Sequence, residues 1–214
     1  MNDFYHRKLP HWIPEGAAFF ITFRLANSLP VQVIQELEAW RERERQTIQT
    51  RNLGKLEWQE LYNLDKEYFG YFDSWLDRCL ETSPRWLADE KIAQIVDDQI
   101  HALKGERYRL IAYCIMSNHV HLVIDTDEYR FEPAHEGVTA PYPLTDTLKR
   151  LKGRTARFCN LALGRSGTFW HSESYDHVIR NAQEYERIIW YVLNNPVKAG
   201  LVEKWEDWKF SYVA

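Results

Sequence analysis

The chain has 214 residues, of which 45% are hydrophobic and 27% are charged. These proportions are typical of soluble globular proteins and exclude a disordered or fibrous chain, and the length favours one domain over residues 1–214 rather than two. Three cysteines without paired spacing argue against a disulfide framework. No stretch approaches the roughly 18 apolar residues of a membrane span, so we expect a cytoplasmic protein without a membrane segment.

Charge is unevenly distributed along the chain. The net charge is −4, but residues 147–172 contain six basic residues and no acidic residue, so this segment carries +6 and the rest carries −10. Five of the basic residues fall in one predicted helix: Lys149, Arg150, Lys152, Arg154 and Arg157. Such a run is either a solvated helix face or a surface for nucleic acid, and composition leaves both interpretations open.

The first third of the chain predicts one strand followed by helices. Residues 17–25 form an apolar, β-rich run that indicates a buried strand. Apolar residues at helical spacing predict a long, highly charged helix over residues 31–52. An aromatic-rich helical stretch over residues 56–80 is expected to break near Gly70.

The middle of the chain predicts a helix and a β-hairpin. An amphipathic pattern indicates a helix over residues 89–103. Two β-rich runs, residues 108–116 and 119–125, are separated only by Ser117 and Asn118, which favours an antiparallel pair. Residues 127–143 mix acids, glycine and three prolines, which is typical of an exposed loop.

The last third predicts two helices around an extended segment. The first helix is expected over residues 144–163, and the extended segment over residues 168–179. Asn181 predicts the N-cap of a final helix, which Pro196 is expected to end because the residue before a proline avoids helical geometry. Together these elements predict an α+β fold with a central antiparallel sheet and helices packed on one side.

Two pairs of residues suggest chemistry. His119 and His121 flank Val120 in a predicted strand, so both imidazoles point to one face while Val120 points to the core. This spacing suits two metal ligands, although unrelated polar residues on a solvated face would share it. Tyr191 and Asn195 are four residues apart on the final helix and share one face, so Asn195 could complete a three-ligand site.

Several segments resemble known enzymes. MSNHVHLVI, residues 116–124, is similar to the His-hydrophobic-His motif of single-strand DNA transposases of the IS200/IS605 type. YVLNNPVKAGLV, residues 191–202, resembles the end of the REP-associated tyrosine transposases. The resemblance extends to residues 11–25, 151–158 and 164–180. Ser117 stands where the family commonly has proline and His171 where it commonly has glutamine, and the helical stretch from about 31 to 85 is an insertion relative to the minimal insertion-sequence enzymes.

The resemblance implies a ferredoxin-like (RRM-like) sheet and one tyrosine transposase domain. It also implies a metal-dependent endonuclease and strand transferase that acts on single-stranded or hairpin DNA at repetitive palindromes. Carried over residue by residue, it implies Tyr191 as the nucleophile that forms a 5'-phosphotyrosine. His119, His121 and Asn195 are then the ligands of a divalent cation, Mg²⁺ or Mn²⁺. The basic run would hold the DNA strand in register through its phosphates.

Other interpretations remain open at this point. A host-adopted protein would bind DNA hairpins without cleaving them, and a simple phosphodiesterase would use metal-bound water and leave Tyr191 a bystander. Tyr175 and Tyr185 are rival nucleophiles by residue type, but neither has a polar residue four positions later. The sequence identifies no base for Tyr191 and does not distinguish a monomer from a homodimer.

Overall fold

The structure is a computed structural model that describes residues 18–80, 82–126 and 143–214. Within these ranges lies one five-stranded sheet of order β4-β1-β3-β2-β5. Its strands are β1 (Ala18–Arg24), β2 (Arg109–Ile115), β3 (His119–Asp125), β4 (Tyr175–Ile179) and β5 (Ser211–Val213). Every neighbouring pair is antiparallel. The predicted α+β class with a central antiparallel sheet is therefore confirmed.

The described ranges also contain five α-helices. They are α1 (Val31–Thr50), α2 (Glu57–Arg78), α3 (Glu90–Leu103), α4 (Pro143–Ala162) and α5 (Ala182–Lys198). α1 and α2 pack against each other and connect β1 to the rest of the chain, at the position of the helical insertion. None of these helices combines the length and the apolar composition that crossing a bilayer demands.

The alternation of side chains along the strands builds two cores. On one face, Phe23 of β1 and Val120 of β3 pack with the apolar sides of α3 and α4. On the other face, Phe20 of β1 packs with Val192 of α5 and Phe69 of α2. Helices therefore cover both faces of the sheet rather than one, because α5 and the long α2 bury apolar stripes against the second face.

Two helices run past the residues expected to interrupt them. α2 continues through Gly70. A glycine inside a helix costs about 1 kcal/mol relative to alanine, and the burial of Phe69 and Phe72 on either side offsets this cost. α5 continues through Pro196 to Lys198, so the prediction that Pro196 ends the helix is wrong.

The end of α5 has a different cause. Pro196 lies in the last turn, where its ring removes only one backbone donor from the helix. The chain leaves the helix at Gly200, whose φ of 70° suits the left-handed position that follows many helices. Asn195 therefore stays helical and keeps its side chain on the same face as Tyr191.

Other boundaries lie close to the predictions. Asn181 accepts a hydrogen bond from the backbone N–H of Glu184 at 2.8 Å, which confirms the predicted N-cap of α5. Only residues 175–179 of the predicted extended segment form a strand, and the short edge strand β5 was not predicted. The predicted loop over residues 127–143 lies outside the described residues, apart from Pro143, where α4 begins.

Candidate metal and nucleophile site

The histidine pair lies at the start of β3. His119 and His121 are both fully buried on the sheet face that packs against α5, whereas Val120 points into the opposite core. The two Nε2 atoms lie 3.1 Å apart. The alternation predicted from the sequence thus brings both imidazoles into one small space.

Neighbouring side chains fix the orientation of both rings. His119 Nδ1 lies 2.6 Å from Asn118 Oδ1, and the Asn118 amide in turn donates to the backbone carbonyl of Leu76 at 3.1 Å. Because Asn118 Oδ1 can only accept, Nδ1 of His119 carries the proton and Nε2 presents a lone pair. His121 Nδ1 lies 2.8 Å from Thr22 Oγ1, its partner across the β1–β3 ladder. Such contacts orient imidazoles toward a metal.

Burial keeps the first imidazole neutral. Desolvation, reinforced by the neighbouring His121, lowers the pKa of His119 from 6.5 to about 3. A neutral imidazole with a free Nε2 lone pair is the form of histidine that binds metal ions.

A carboxylate from α2 completes the cluster. Asp73 Oδ1 lies 3.3 Å from His121 Nε2, and one ligand atom from each of Asp73, His119 and His121 lies within 4.8 Å of the others. Burial opposes ionisation of Asp73, but the neighbouring His121 imidazole outweighs it and holds the pKa of Asp73 well below its usual range. The carboxylate is therefore charged at neutral pH.

Tyr191 of α5 meets the same carboxylate. Its hydroxyl donates to Asp73 Oδ2, and Lys198 Nζ donates to that oxygen at 3.1 Å. The centre of the Tyr191 ring lies 5.5 Å from that of His121. Burial and the charge of Asp73 raise the pKa of Tyr191 far above 10, so the phenol is neutral in this arrangement.

Asn195 lies one turn after Tyr191 and is also buried. Neither its amide nitrogen nor its amide oxygen has a hydrogen-bond partner among the described residues. A buried polar group without a partner costs free energy, commonly about 1–3 kcal/mol. The Asn195 amide is therefore available to bind a ligand that the chain itself does not supply.

The donor set fits a divalent cation. Two imidazole nitrogens, one carboxylate oxygen and the unpaired amide of Asn195 are mixed nitrogen and oxygen ligands. Mn²⁺ accepts such a set readily, and Mg²⁺ prefers its oxygen members. Asp73 Oδ1 has a lone pair and no hydrogen-bond partner among the described residues, which a bound cation would satisfy.

The rival tyrosines lie elsewhere. Tyr175 of β4 stacks on Phe69 with ring centres 4.3 Å apart, and Tyr185 packs into the second core. Among the described residues, neither contacts the histidine rings as Tyr191 does. The geometry brings Tyr191, His119, His121 and Asn195 to the same face of the sheet.

The basic run is not part of this cluster. α4 packs with α3 against the opposite face of the sheet. Lys149 and Arg157 are exposed, and Arg150 lies 3.4 Å from Glu106 Oε1.

Lys152 differs from the other basic residues. Its ammonium donates to the carbonyl of His171 at 2.7 Å, the carbonyl of Ser172 at 2.9 Å and the hydroxyl of Ser174 at 3.1 Å. All three N–H donors are thus used within the protein. The ammonium of Lys152 therefore holds the segment before β4, and contact of Lys152 with DNA phosphates stays a prediction.

Sequence reasoning missed the residues of α2 and those around the histidines. Asp73, Lys198, Thr22 and Asn118 all contact the site, but sequence reasoning gave none of them a role. Asp73 alone lies outside the segments that carry the family resemblance. One signal was available, because Asp73 interrupts the apolar stripe that Phe69 and Leu76 form on α2. A lone carboxylate in such a stripe needs a partner across the core.

The chain is similar to proteins of one named group. A protein of Haemophilus influenzae named as a REP-associated tyrosine transposase is 27% identical over 105 residues, which are 49% of this chain and 58% of that protein. The REP-associated tyrosine transposase of Escherichia coli is 24% identical over 119 residues, which are 55% of this chain and 62% of that protein. The chain thus spans about three fifths of these curated relatives, and no family model matches it.

A solved structure shares the fold. The structure of a REP-associated tyrosine transposase bound to a REP hairpin aligns with 96% of this chain and 82% of its own chain, at 17% identity and a TM-score of 0.53. The fold and the site define an α+β protein with paired histidines on a central strand beside a tyrosine on the last long helix. The resemblance to the REP-associated tyrosine transposases is confirmed.

Proposed function

We propose that the chain is a metal-dependent, single-stranded DNA endonuclease and strand transferase that acts at hairpin-forming repetitive palindromes. One observation supports this best: the hydroxyl of Tyr191 and the imidazole of His121 both meet the carboxylate of Asp73. A nucleophile thus lies beside a set of metal ligands, which is the arrangement that phosphoryl transfer to tyrosine requires.

Each proposed residue has a defined role. His119, His121 and Asn195 would hold Mg²⁺ or Mn²⁺, whose charge polarises the scissile phosphate and offsets the charge that develops on it. The Tyr191 oxygen attacks phosphorus, the bond from phosphorus to the 3'-oxygen breaks, and the products are a 5'-phosphotyrosine and a free 3'-hydroxyl. The covalent link conserves the bond energy, so a later 3'-hydroxyl can rejoin the strand without ATP.

Two kinds of observation support hairpin DNA as the substrate. The relatives are named as REP-associated transposases, and the solved structure of one holds a REP hairpin. Four cations of α4 offer phosphate contacts from the other side of the sheet, the exposed Lys149, Arg150 and Arg157 and the half-buried Arg154.

A denaturing gel tests the mechanism. The protein is incubated with a labelled single-stranded hairpin oligonucleotide and Mn²⁺, and the variants Tyr191→Phe, His119→Ala and Tyr185→Phe are compared with the wild type. We expect a covalent protein–DNA band for the wild type and for Tyr185→Phe, a matched tyrosine on the same helix. Tyr191→Phe, His119→Ala and a chelator should each abolish the band.

Other outcomes would replace the proposal with a different function. Cleavage by Tyr191→Phe without a covalent band would indicate a phosphodiesterase that uses metal-bound water. Tight hairpin binding that survives chelation, without cleavage of any palindrome flanking the gene, would indicate a non-cleaving hairpin-binding protein.

A further inference from the structure

The helical insertion forms one wall of the candidate site. The α2 residues that face the sheet follow a spacing of four and three, which places them on one side of a helix. Three of them contact α5, namely Tyr62, Lys66 and Asp73, and Phe69 contacts Tyr175 of β4. One turn further on, the backbone carbonyl of Leu76 accepts from Asn118 in the hairpin turn. These contacts place α2 directly beside the histidines and Tyr191, so the insertion is part of the site.

The two ends of this face are fixed by polar contacts. Near the start of α2, Lys66 Nζ lies 3.0 Å from Oε1 of the buried Glu184 on α5, and the Tyr62 hydroxyl donates to the same carboxylate. Near the end of α2, the Leu76 carbonyl accepts from the amide of Asn118, which also contacts His119. Asp73 lies between these two anchors.

The two oxygens of Asp73 have different surroundings. Oδ2 accepts from the Tyr191 hydroxyl and from Lys198. Oδ1 faces His121 Nε2 at 3.3 Å and has no hydrogen-bond partner among the described residues. Asp73 is only 1% exposed, so water does not readily satisfy this oxygen.

We propose that the α1–α2 insertion completes the active site by supplying Asp73, with Oδ1 as a ligand of the divalent cation and Oδ2 holding the Tyr191 hydroxyl. One carboxylate then joins the metal to the nucleophile, and docking of α2 is required for both. The metal-binding role of Asp73 is argued from the cluster geometry alone. Its role toward the nucleophile Tyr191 rests on the proposed function.

A purely structural ion pair would look different. Lys198 Nζ already lies 3.1 Å from Asp73 Oδ2 and 2.9 Å from Asp77 Oδ2, so this ammonium group pairs with both carboxylates at the surface end of the cluster. Nothing in that pairing requires Oδ1 to face two imidazole nitrogens. A cation between these three atoms would take the unpaired oxygen and both Nε2 atoms as ligands together.

Mn²⁺ binding to the full chain, measured by titration calorimetry without DNA, tests the inference. Asp73→Asn keeps the shape of the side chain and removes its charge, and we expect it to weaken Mn²⁺ binding by at least about tenfold. Asp65→Asn is the matched control, because Asp65 lies two turns earlier on α2 and pairs with Arg41. This control should bind Mn²⁺ as the wild type does.

The covalent-adduct assay separates the two proposals. If Asp73→Asn loses Mn²⁺ affinity but the wild type forms no adduct with DNA, the proposed function fails and the metal role of Asp73 stands. If the wild type forms the adduct and folded Asp73→Asn binds Mn²⁺ with wild-type affinity, the inference is overturned while the proposed function stands.

A measurement on the wild-type protein removes any dependence on folding of the variant. With ¹³C-labelled aspartate, substoichiometric Mn²⁺ should broaden the side-chain carboxyl resonance of Asp73 and leave that of Asp65 sharp. Equal behaviour of the two resonances would contradict the inference.

Discussion

The contact between Thr22 and His121 offers a sharp test of how the strands prepare the metal ligands. Thr22 is buried on β1, and its hydroxyl lies 2.8 Å from His121 Nδ1. Thr22→Val replaces that hydroxyl with a methyl group of similar size and keeps the β-branched shape that suits a strand. The change therefore removes one hydrogen bond and little else.

The expected magnitude follows from this loss. A buried polar group left without a hydrogen-bond partner costs about 1–3 kcal/mol in the free energy of unfolding. Loss of the group that orients a metal-binding imidazole commonly weakens metal binding about 10- to 100-fold. We therefore expect both a modest loss of stability and a clear loss of Mn²⁺ affinity in Thr22→Val.

Urea unfolding and calorimetric titration with Mn²⁺ measure the two effects. Thr155→Val is the matched control, since the buried Thr155 hydroxyl accepts from the Trp170 indole N–H at 2.8 Å, far from the metal ligands. It should lose similar stability and keep wild-type Mn²⁺ affinity. If folded Thr22→Val binds Mn²⁺ as tightly as Thr155→Val, the orienting role of Thr22 is refuted.

Three further outcomes are expected. Lys149→Gln should lower the slope of hairpin affinity against salt concentration by about one phosphate contact. Lys152→Gln should destabilise the fold and leave this slope unchanged. Filter binding across salt concentrations measures the slope for both variants. Burial of Glu184 opposes its ionisation, but hydrogen bonds from Tyr62 and Lys66 lower its pKa from 4.5 to about 2. The stabilisation that ionised Glu184 contributes is complete above pH 4.5 and is lost as the pH falls toward 2. Between these pH values, the free energy of unfolding of Glu184→Gln should therefore depend less on pH than that of the wild type. Leu76→Ala should cost about 2–5 kcal/mol in urea unfolding, because the side chain is fully buried between α1 and α2; a loss below 1 kcal/mol would contradict that packing.

Local patterns in the sequence were enough to predict much of the site. The short Ser117–Asn118 connection predicts the β2–β3 hairpin, and the alternation along β3 places His119 and His121 on one face. The Asn181 cap predicts where α5 begins and hence that Tyr191 and Asn195 share a face. Each of these inferences uses residues that lie within a few positions of one another.

Features that depend on distant contacts could not be predicted in this way. The docking of α2 on the second sheet face decides that Asp73 reaches His121, 48 positions later in the chain. Packing around Phe69 and Phe72 outweighs the helix-breaking tendency of Gly70. The three-residue strand β5 is defined by its pairing with β2 rather than by a β-rich run of its own.

Mapping the covalent link by mass spectrometry tests the central claim most directly. Trypsin releases residues 188–198 as one peptide, and Tyr191 is its only tyrosine, while Tyr175 and Tyr185 fall in other peptides. After reaction of the full chain with a single-stranded hairpin and Mn²⁺, we expect a nucleotide attached through its 5'-phosphate to this peptide at Tyr191. A nucleotide on a peptide that carries Tyr175 or Tyr185 would contradict the assignment of Tyr191 as the nucleophile.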